Sequence, residues 1–345
     1  MEQLNILEKY FSNPKEISIS PIENGLINHT FLVEDNRNQK KFILQKINIS
    51  IFKNPEGLVK NQISVNTTLE KNKYPKEVIH LVPNNTNELL TTDNSGEVWR
   101  MMDFVENSKT YLKASCPNLA RKAAQAFGEF YKFLNREKLV LEEVLPGFTD
   151  FGKRMSDFDK SLKNSKINLL ENAKIEIEFV VAQSELPLKW IGLHHEHLLP
   201  ERVIHADPKI SNILFDQEDN PLFIIDLDTV MNASLLYDFG DMIRSYTNIL
   251  DEDKASEENN FNPELFEAVK KGFSDALNGT LTDIEKENLD YAAQVVIYIQ
   301  AVRFLTDYLN GSTYYSTKYE KHNLDRTKNQ INLLKGLQTY LSEKN

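Results

Sequence analysis

Residues 203–230 read VIHADPKISNILFDQEDNPLFIIDLDTV, with Asp207, Asp226 and Asp228 set beside apolar runs. A carboxylate next to a core is costly unless a partner shares its charge. Asp207 and Asn212 stand five residues apart after the strand-like VIH, and Asp226 follows 19 residues after Asp207. Between them NILFD and PLFIID read as two strands turning on QEDN, so the hairpin is expected to return Asp226 beside Asn212. In that arrangement one aspartate takes the proton of an attacking hydroxyl. The asparagine and the second aspartate hold a metal ion on a triphosphate, as in kinase-type phosphoryl transfer. Magnesium draws much of its coordination from water and phosphates, so an Asn with one or two carboxylates is enough. An isolated Asp and Asn at this spacing is also a common turn; the strand, hairpin and second Asp together favour the chemistry.

The elements that must position these groups fall into two kinds. FLVE (31–34), KKFILQKI (40–47), VIHLVP (78–83), NELLTT (87–92) and EVWRMMDFV (97–105) read as five strands separated by turn signals. PEGLVKNQISVNTTLEKN, with Val59 four residues before Ile63 and Val65 four before Leu69, reads as one inserted helix. After residue 107 the pattern turns helical, over 119–134, most of 154–184 and 263–308, and about 325–343. The spacing predicts a strand-rich domain over 1–105 and a helix-rich domain over 106–345, with a ligand cleft at the boundary.

Composition narrows the function. The net charge is −11 and no dense Lys/Arg block occurs, which argues against a nucleic-acid partner. An acidic protein that holds a phosphate-bearing ligand calls for a divalent cation. The single Cys116 excludes an intramolecular disulfide and a cysteine zinc cluster, and fits a reducing compartment. The first residues lack a secretory apolar stretch. The longest apolar run, AAQVVIYIQAVRFL, is broken by Gln294, Gln300 and Arg303, so no membrane span is expected. A soluble cytoplasmic protein is the simplest expectation. HHEHLLPE (194–201) places its histidines too close in sequence for one helical face to present them to zinc.

HADPKISN (205–212) resembles the catalytic loop H-x-D-x-x-x-x-N of the protein-kinase-like fold, and IDLD (225–228) resembles the metal-binding motif of aminoglycoside phosphotransferases and choline kinases. The longer strings LYDFGDMIRS, VRFLTDYLNGSTYY, GLINHTF and FILQKIN are similar to the N-acetylhexosamine 1-kinases of bacterial sugar salvage, and the similarity runs over about residues 20–340. The resemblance implies an α+β, bilobal protein-kinase-like fold with a small five-stranded lobe and a larger helical one. It implies ATP and Mg2+ as cofactors and phosphorylation of the anomeric hydroxyl of an N-acetylhexosamine. Asp207 is then the general base and Lys209 a γ-phosphate contact. Asn212 and Asp226 are Mg2+ ligands, and Asp228 is a second metal ligand or a loop anchor. His205 supports the loop. Asp238 and Asp241 are expected to anchor the loop after the hairpin. Choline, homoserine, an aminoglycoside or another sugar stand as alternative acceptors, and a non-catalytic nucleotide- or sugar-binding pseudokinase as an alternative class.

The chain departs from that pattern in its first hundred residues. Only Gly25, in ENGLINHTF, answers the glycine-rich loop, with Asn28 and Thr30 as side-chain donors. The strand lysine that pairs the phosphates falls on Gln45. Lys46 is next, but alternation aims it at the opposite face. Glu70 is the available helix acid. Met102, Asp103 and Phe104 form the candidate adenine hinge. For the acceptor, Arg303 and Asp307 share a helix face, as sugar ligands or as an i,i+4 salt bridge. Tyr314 and Tyr315 offer aromatic faces, and Thr149 stands where similar kinases carry His.

Overall fold

The computed structural model describes residues 2–22, 27–255 and 258–344 of the protein. The chain is α+β and folds as two compact units. The first takes residues up to 109, then 136–146 and 214–231; the second takes 110–135, 147–213 and the chain from 232 onward.

The first unit is built on an antiparallel sheet of six strands: β1 (Ile17–Ile22), β2 (His29–Asp35), β3 (Lys40–Ile47), β4 (Leu81–Val82), β5 (Thr91–Thr92) and β6 (Val98–Asp103). Their order is β1-β2-β3-β6-β4, with β5 also paired to β6. β1 adds a strand to the predicted five. Its sequence ISISPI contains Pro21, which lacks an amide donor and is tolerated at an edge; β1 is the edge of this sheet. β4 and β5 are shorter than the runs predicted at 78–83 and 87–92. Asn84 explains this. Its side-chain oxygen accepts from the amides of Thr86 and Glu88, both at 2.9 Å, and its Nδ2 donates to Thr91 Oγ1 at 3.0 Å. A turn built on a side chain takes amides that a ladder would have used.

One side of the sheet closes a core of Ile6, Leu7, Val33, Leu44, Trp99 and Met101. Gln45, one residue beyond Leu44, faces the other side. The predicted helix is present as Pro55–Lys71. Asn54 caps it by accepting from the Gly57 amide at 2.9 Å, and Pro55 supplies a preset first turn. This helix packs on the short 3-10 turn Leu227–Thr229, which belongs to the same unit. The hairpin is also present, as Ile213–Phe215 and Pro221–Ile224. Asp216 builds its turn by accepting from the amides of Glu218 at 2.9 Å and Asn220 at 2.7 Å.

The second unit is helical. Pro117–Leu134 packs on Pro263–Ala276, and Leu289–Leu309 runs against Leu235–Tyr246 and His322–Lys344. The stretch predicted as mostly helical over 154–184 consists of Phe151–Asn164, Ile167–Asn172 and Lys174–Ala182, followed by an unpredicted helix Glu185–His195. Leu235–Tyr246 was not predicted either. It is buried on nearly every side, and its polar residues Asp238, Asp241 and Arg244 are buried too, so they do not mark a solvent-facing stripe. Gly240 permits its close approach to Leu289–Leu309: a Cβ there would lie 2.5 Å from Val296 Cγ2 and 2.6 Å from the Ala292 carbonyl oxygen.

Candidate active site

Asp207 follows the strand Arg202–Ile204 in a loop whose backbone is held in a strained form. Ala206 has φ of +64°, in the left-handed region. Residues with a Cβ enter that region at a cost of about 1–2 kcal/mol. Asp238, from the Leu235–Tyr246 helix, holds it there. Its buried carboxylate accepts from the amides of His205 at 2.7 Å and Ala206 at 3.0 Å, and from the Tyr131 hydroxyl at 2.6 Å. Burial pushes the Asp238 carboxyl up to about 7, with Tyr131 and the two amides pulling it down. Asp238 is therefore an anchor of the loop before Asp207, where the sequence suggested the loop after the hairpin. His205 is fully buried, edge-on to Phe127 at 5.3 Å, and its Nδ1 accepts from the Asp207 amide at 3.3 Å.

Around Asp207, Lys209 Nζ lies 2.9 Å from Oδ1. Asn212 Nδ2 donates to the Asp207 carbonyl at 2.8 Å and lies 3.3 Å from Oδ2. The Tyr246 hydroxyl pins the loop through the Pro208 carbonyl at 3.0 Å. Burial works to raise the Asp207 pKa. The Lys209 ammonium, with smaller help from His205 and Arg244, outweighs it and holds the carboxyl below its ordinary value. Arg244 is bound by Asp241 at 2.6 Å and by Glu252. Asp207 is thus ionised at neutral pH and keeps 26% of its side chain exposed, which is what a proton acceptor requires.

In the first unit, Asp226 ends the hairpin with φ +61° and ψ +59° and leads into the turn Leu227–Thr229. Asp228 is buried, and both of its oxygens face protein donors. Oδ2 accepts from Asn28 Nδ2 at 2.7 Å, and Oδ1 lies 2.7 Å from Arg100 Nη1, an ion pair off the line of a hydrogen bond. Asn28 in turn accepts from the Asn48 amide at 3.0 Å. Arg100 was missed in the sequence. It stands on β6 opposite Gln45 of β3, which stands opposite Thr30 of β2, so the three side chains share one face. Arg100 Nε and Nη2 donate to Gln45 Oε1 at 3.1 Å and 2.7 Å, and Gln45 Nε2 donates to Thr30 Oγ1 at 3.1 Å. The signal for it was an arginine inside the apolar run VWRMM. Lys46 points the other way and pairs with Glu97 at 3.1 Å. Glu70 lies 3.5 Å from His80, with both side chains exposed. Gly25 lies outside the described residues.

At the hinge, Met102 is paired within the sheet, opposite Ile43 on one side and Leu81 on the other. The Asp103 amide donates to the His80 carbonyl at 3.1 Å, and Phe104 lies under Lys41 Nζ at 5.6 Å.

In the second unit, Arg303 and Asp307 do not pair with each other. Asp307 accepts from the amides of Thr313, Tyr314 and Tyr315 at 2.8–3.0 Å and from Asn323 Nδ2 at 2.8 Å. Arg303 donates to Gln300 Oε1 at 3.0 Å, and its guanidinium lies 5.1 Å from the Phe148 ring and 5.7 Å from the Tyr315 ring. Arg154, also unforeseen, donates to the Phe148 carbonyl at 3.0 Å, and its Nε is buried without a partner. Burial and the nearby Arg303 charge both lower the Arg154 pKa. Among the described residues neither arginine has a carboxylate in salt-bridge range.

The fold is that of the kinase-like phosphotransferases. Residues 18–270 match the model of the phosphotransferase enzyme family (APH), and the chain belongs to that family. Its structure is similar to that of an aminoglycoside phosphotransferase from Alicyclobacillus acidocaldarius, with 12% identity, TM-score 0.64, and 98% of this chain and 93% of that one covered. It is similar to a microcompartment-associated aminopropanol kinase, with 13% identity, TM-score 0.61 and 99% and 97% covered. A choline kinase from Streptococcus pneumoniae aligns with 12% identity, TM-score 0.55 and 98% and 97% covered. Among the described residues no helix is long and apolar enough to cross a membrane.

Proposed function

We propose that the protein transfers the terminal phosphoryl group of ATP to a hydroxyl of an uncharged, carbonyl-bearing sugar, with the anomeric hydroxyl of an N-acetylhexosamine as the preferred acceptor. Asp207 takes the hydroxyl proton. The acceptor oxygen bonds to the γ-phosphorus as the bond to the β-phosphate bridging oxygen breaks, leaving ADP and a sugar 1-phosphate. Lys209 keeps Asp207 ionised and in this reading contacts the γ-phosphate. Asn212 and Asp226 carry the hard oxygen donors that magnesium takes, and the Asn212 amide nitrogen is already committed to Asp207. A magnesium ion held by these donors would neutralise charge on the phosphates. Asp228, with both oxygens engaged by Arg100 and Asn28, acts as the loop anchor. The Asp103 amide is in use on the His80 carbonyl, so it is not a donor to adenine.

The observation that carries the acceptor class is the pair of guanidiniums, Arg303 beside the Phe148 and Tyr315 rings and Arg154 on the Phe148 carbonyl, with no carboxylate in salt-bridge range among the described residues. Arg303 lies within electrostatic reach of Arg244, which is itself within reach of Asp207. Two such charges repel a quaternary ammonium or an aminoglycoside and favour carbonyl and hydroxyl oxygens. Asp307 serves this site by ordering the 313–315 loop, and so Tyr315. An ATP-consumption screen tests the proposal over N-acetylhexosamines, hexoses, homoserine, choline and aminoglycosides, with and without Mg2+. Mg2+-dependent turnover with an N-acetylhexosamine and an acid-labile phosphate product is expected. Turnover confined to cationic acceptors overturns the acceptor class, and nucleotide binding with no acceptor turned over favours a pseudokinase.

A further inference from the structure

We infer that Arg100 is the positioning cation of the metal end of the nucleotide site, supplied from β6 where β3 carries glutamine instead of lysine. The inference rests on the kinase reading above. Thr30, Gln45 and Arg100 occupy one row across β2, β3 and β6, so the positive charge has moved by one strand within the row. Arg100 is 2% exposed. A buried guanidinium is costly and adds little to stability over a well-packed apolar side chain. Here the polar contacts of its guanidinium are to groups of one network. Nε and Nη2 are locked on Gln45, which is locked on Thr30, and this aims Nη1 at Asp228.

Asp228 lies two residues beyond Asp226, in the turn that Asp226 enters with a left-handed backbone. Arg100 and Asn28 fix the Asp228 carboxylate from two sides, and with it the direction in which the Asp226 peptide is presented. A group that orients a metal ligand through its neighbour commonly changes metal affinity on the order of 10–100-fold when removed. Arg100 thus acts through Asp228 on Asp226 and is itself shielded from the nucleotide.

Calorimetric titration of the intact chain with adenosine, with ADP, and with ADP plus MgCl2 tests this. Arg100→Gln is expected to weaken Mg2+-dependent ADP binding on the order of 10–100-fold, with adenosine affinity unchanged. Adding Gln45→Lys to Arg100→Gln is expected to recover most of the loss, because it returns a cation beside Asp228. The proposal is overturned by an Arg100→Gln protein that binds ADP with Mg2+ as wild type does, by a parallel loss of adenosine affinity, or by a double variant that recovers nothing. Wild-type protein that binds neither adenosine nor ADP overturns the nucleotide-site reading, and this proposal with it. Wild type that binds both isolates the outcome to Arg100.

Discussion

In the proposed reaction Asp207 must be ionised to accept a proton, and its ionisation depends on Lys209. Burial raises the Asp207 pKa and is the largest influence on it; the lysine charge is the main counterweight. Lys209→Met removes the counterweight, so the pKa rises and the acid limb of a kcat/KM profile moves to higher pH. An acid limb that stays in place would separate Lys209 from the ionisation of Asp207. Asp207→Asn keeps the shape and loses the proton acceptor, and is expected to reduce kcat by about 10²–10⁴-fold while nucleotide titrations remain as in wild type. The contacts among Asp207, Lys209 and Asn212 were legible because they follow from short spacings along one stretch. Arg100 and Arg154 were not, because what they meet is set by strand register and by distant helices. The run VWRMM shows a charge among apolar neighbours without showing what lies across from it.

At the level of elements, the Leu235–Tyr246 helix bears on the loop before Asp207 through the Asp238 carboxylate. In Asp238→Asn the side-chain nitrogen turns a donor towards donors, leaving at least one of Tyr131, His205 and Ala206 unpaired. The expected loss is about 1–3 kcal/mol in urea unfolding, with kcat falling as Ala206 relaxes from its left-handed backbone. A variant of unchanged stability would show that the loop holds itself. Gly240→Ala presses on Val296 and the Ala292 carbonyl and is expected to destabilise the chain by about 1–3 kcal/mol, again read from urea midpoints. Most elements could be read from periodicity, the Pro55–Lys71 helix and the hairpin among them. Three that could not be so read have a local cause: a proline in β1, a side-chain turn at Asn84, and in Leu235–Tyr246 burial on almost every side.

For the molecule as a whole, ligand binding and folding are linked. A nucleotide that binds only the folded chain stabilises it by about 2.7 kcal/mol at a hundred times its Kd. If magnesium is part of the site, ADP with Mg2+ raises Tm by more than ADP with EDTA. Equal shifts would mean that the metal adds nothing to affinity. Composition along the chain does not reveal that residues 136–146 and 214–231 return to fold with the first hundred. That interleaving governs how the protein can be made. The first unit lacks its last segment until residue 231 has left the ribosome, so its sheet, whose last strand ends at Asp103, waits over that stretch of translation with part of its packing unsupplied. A gene fragment ending at residue 109 would therefore yield an incomplete unit, and chaperone demand during synthesis should concentrate on that interval.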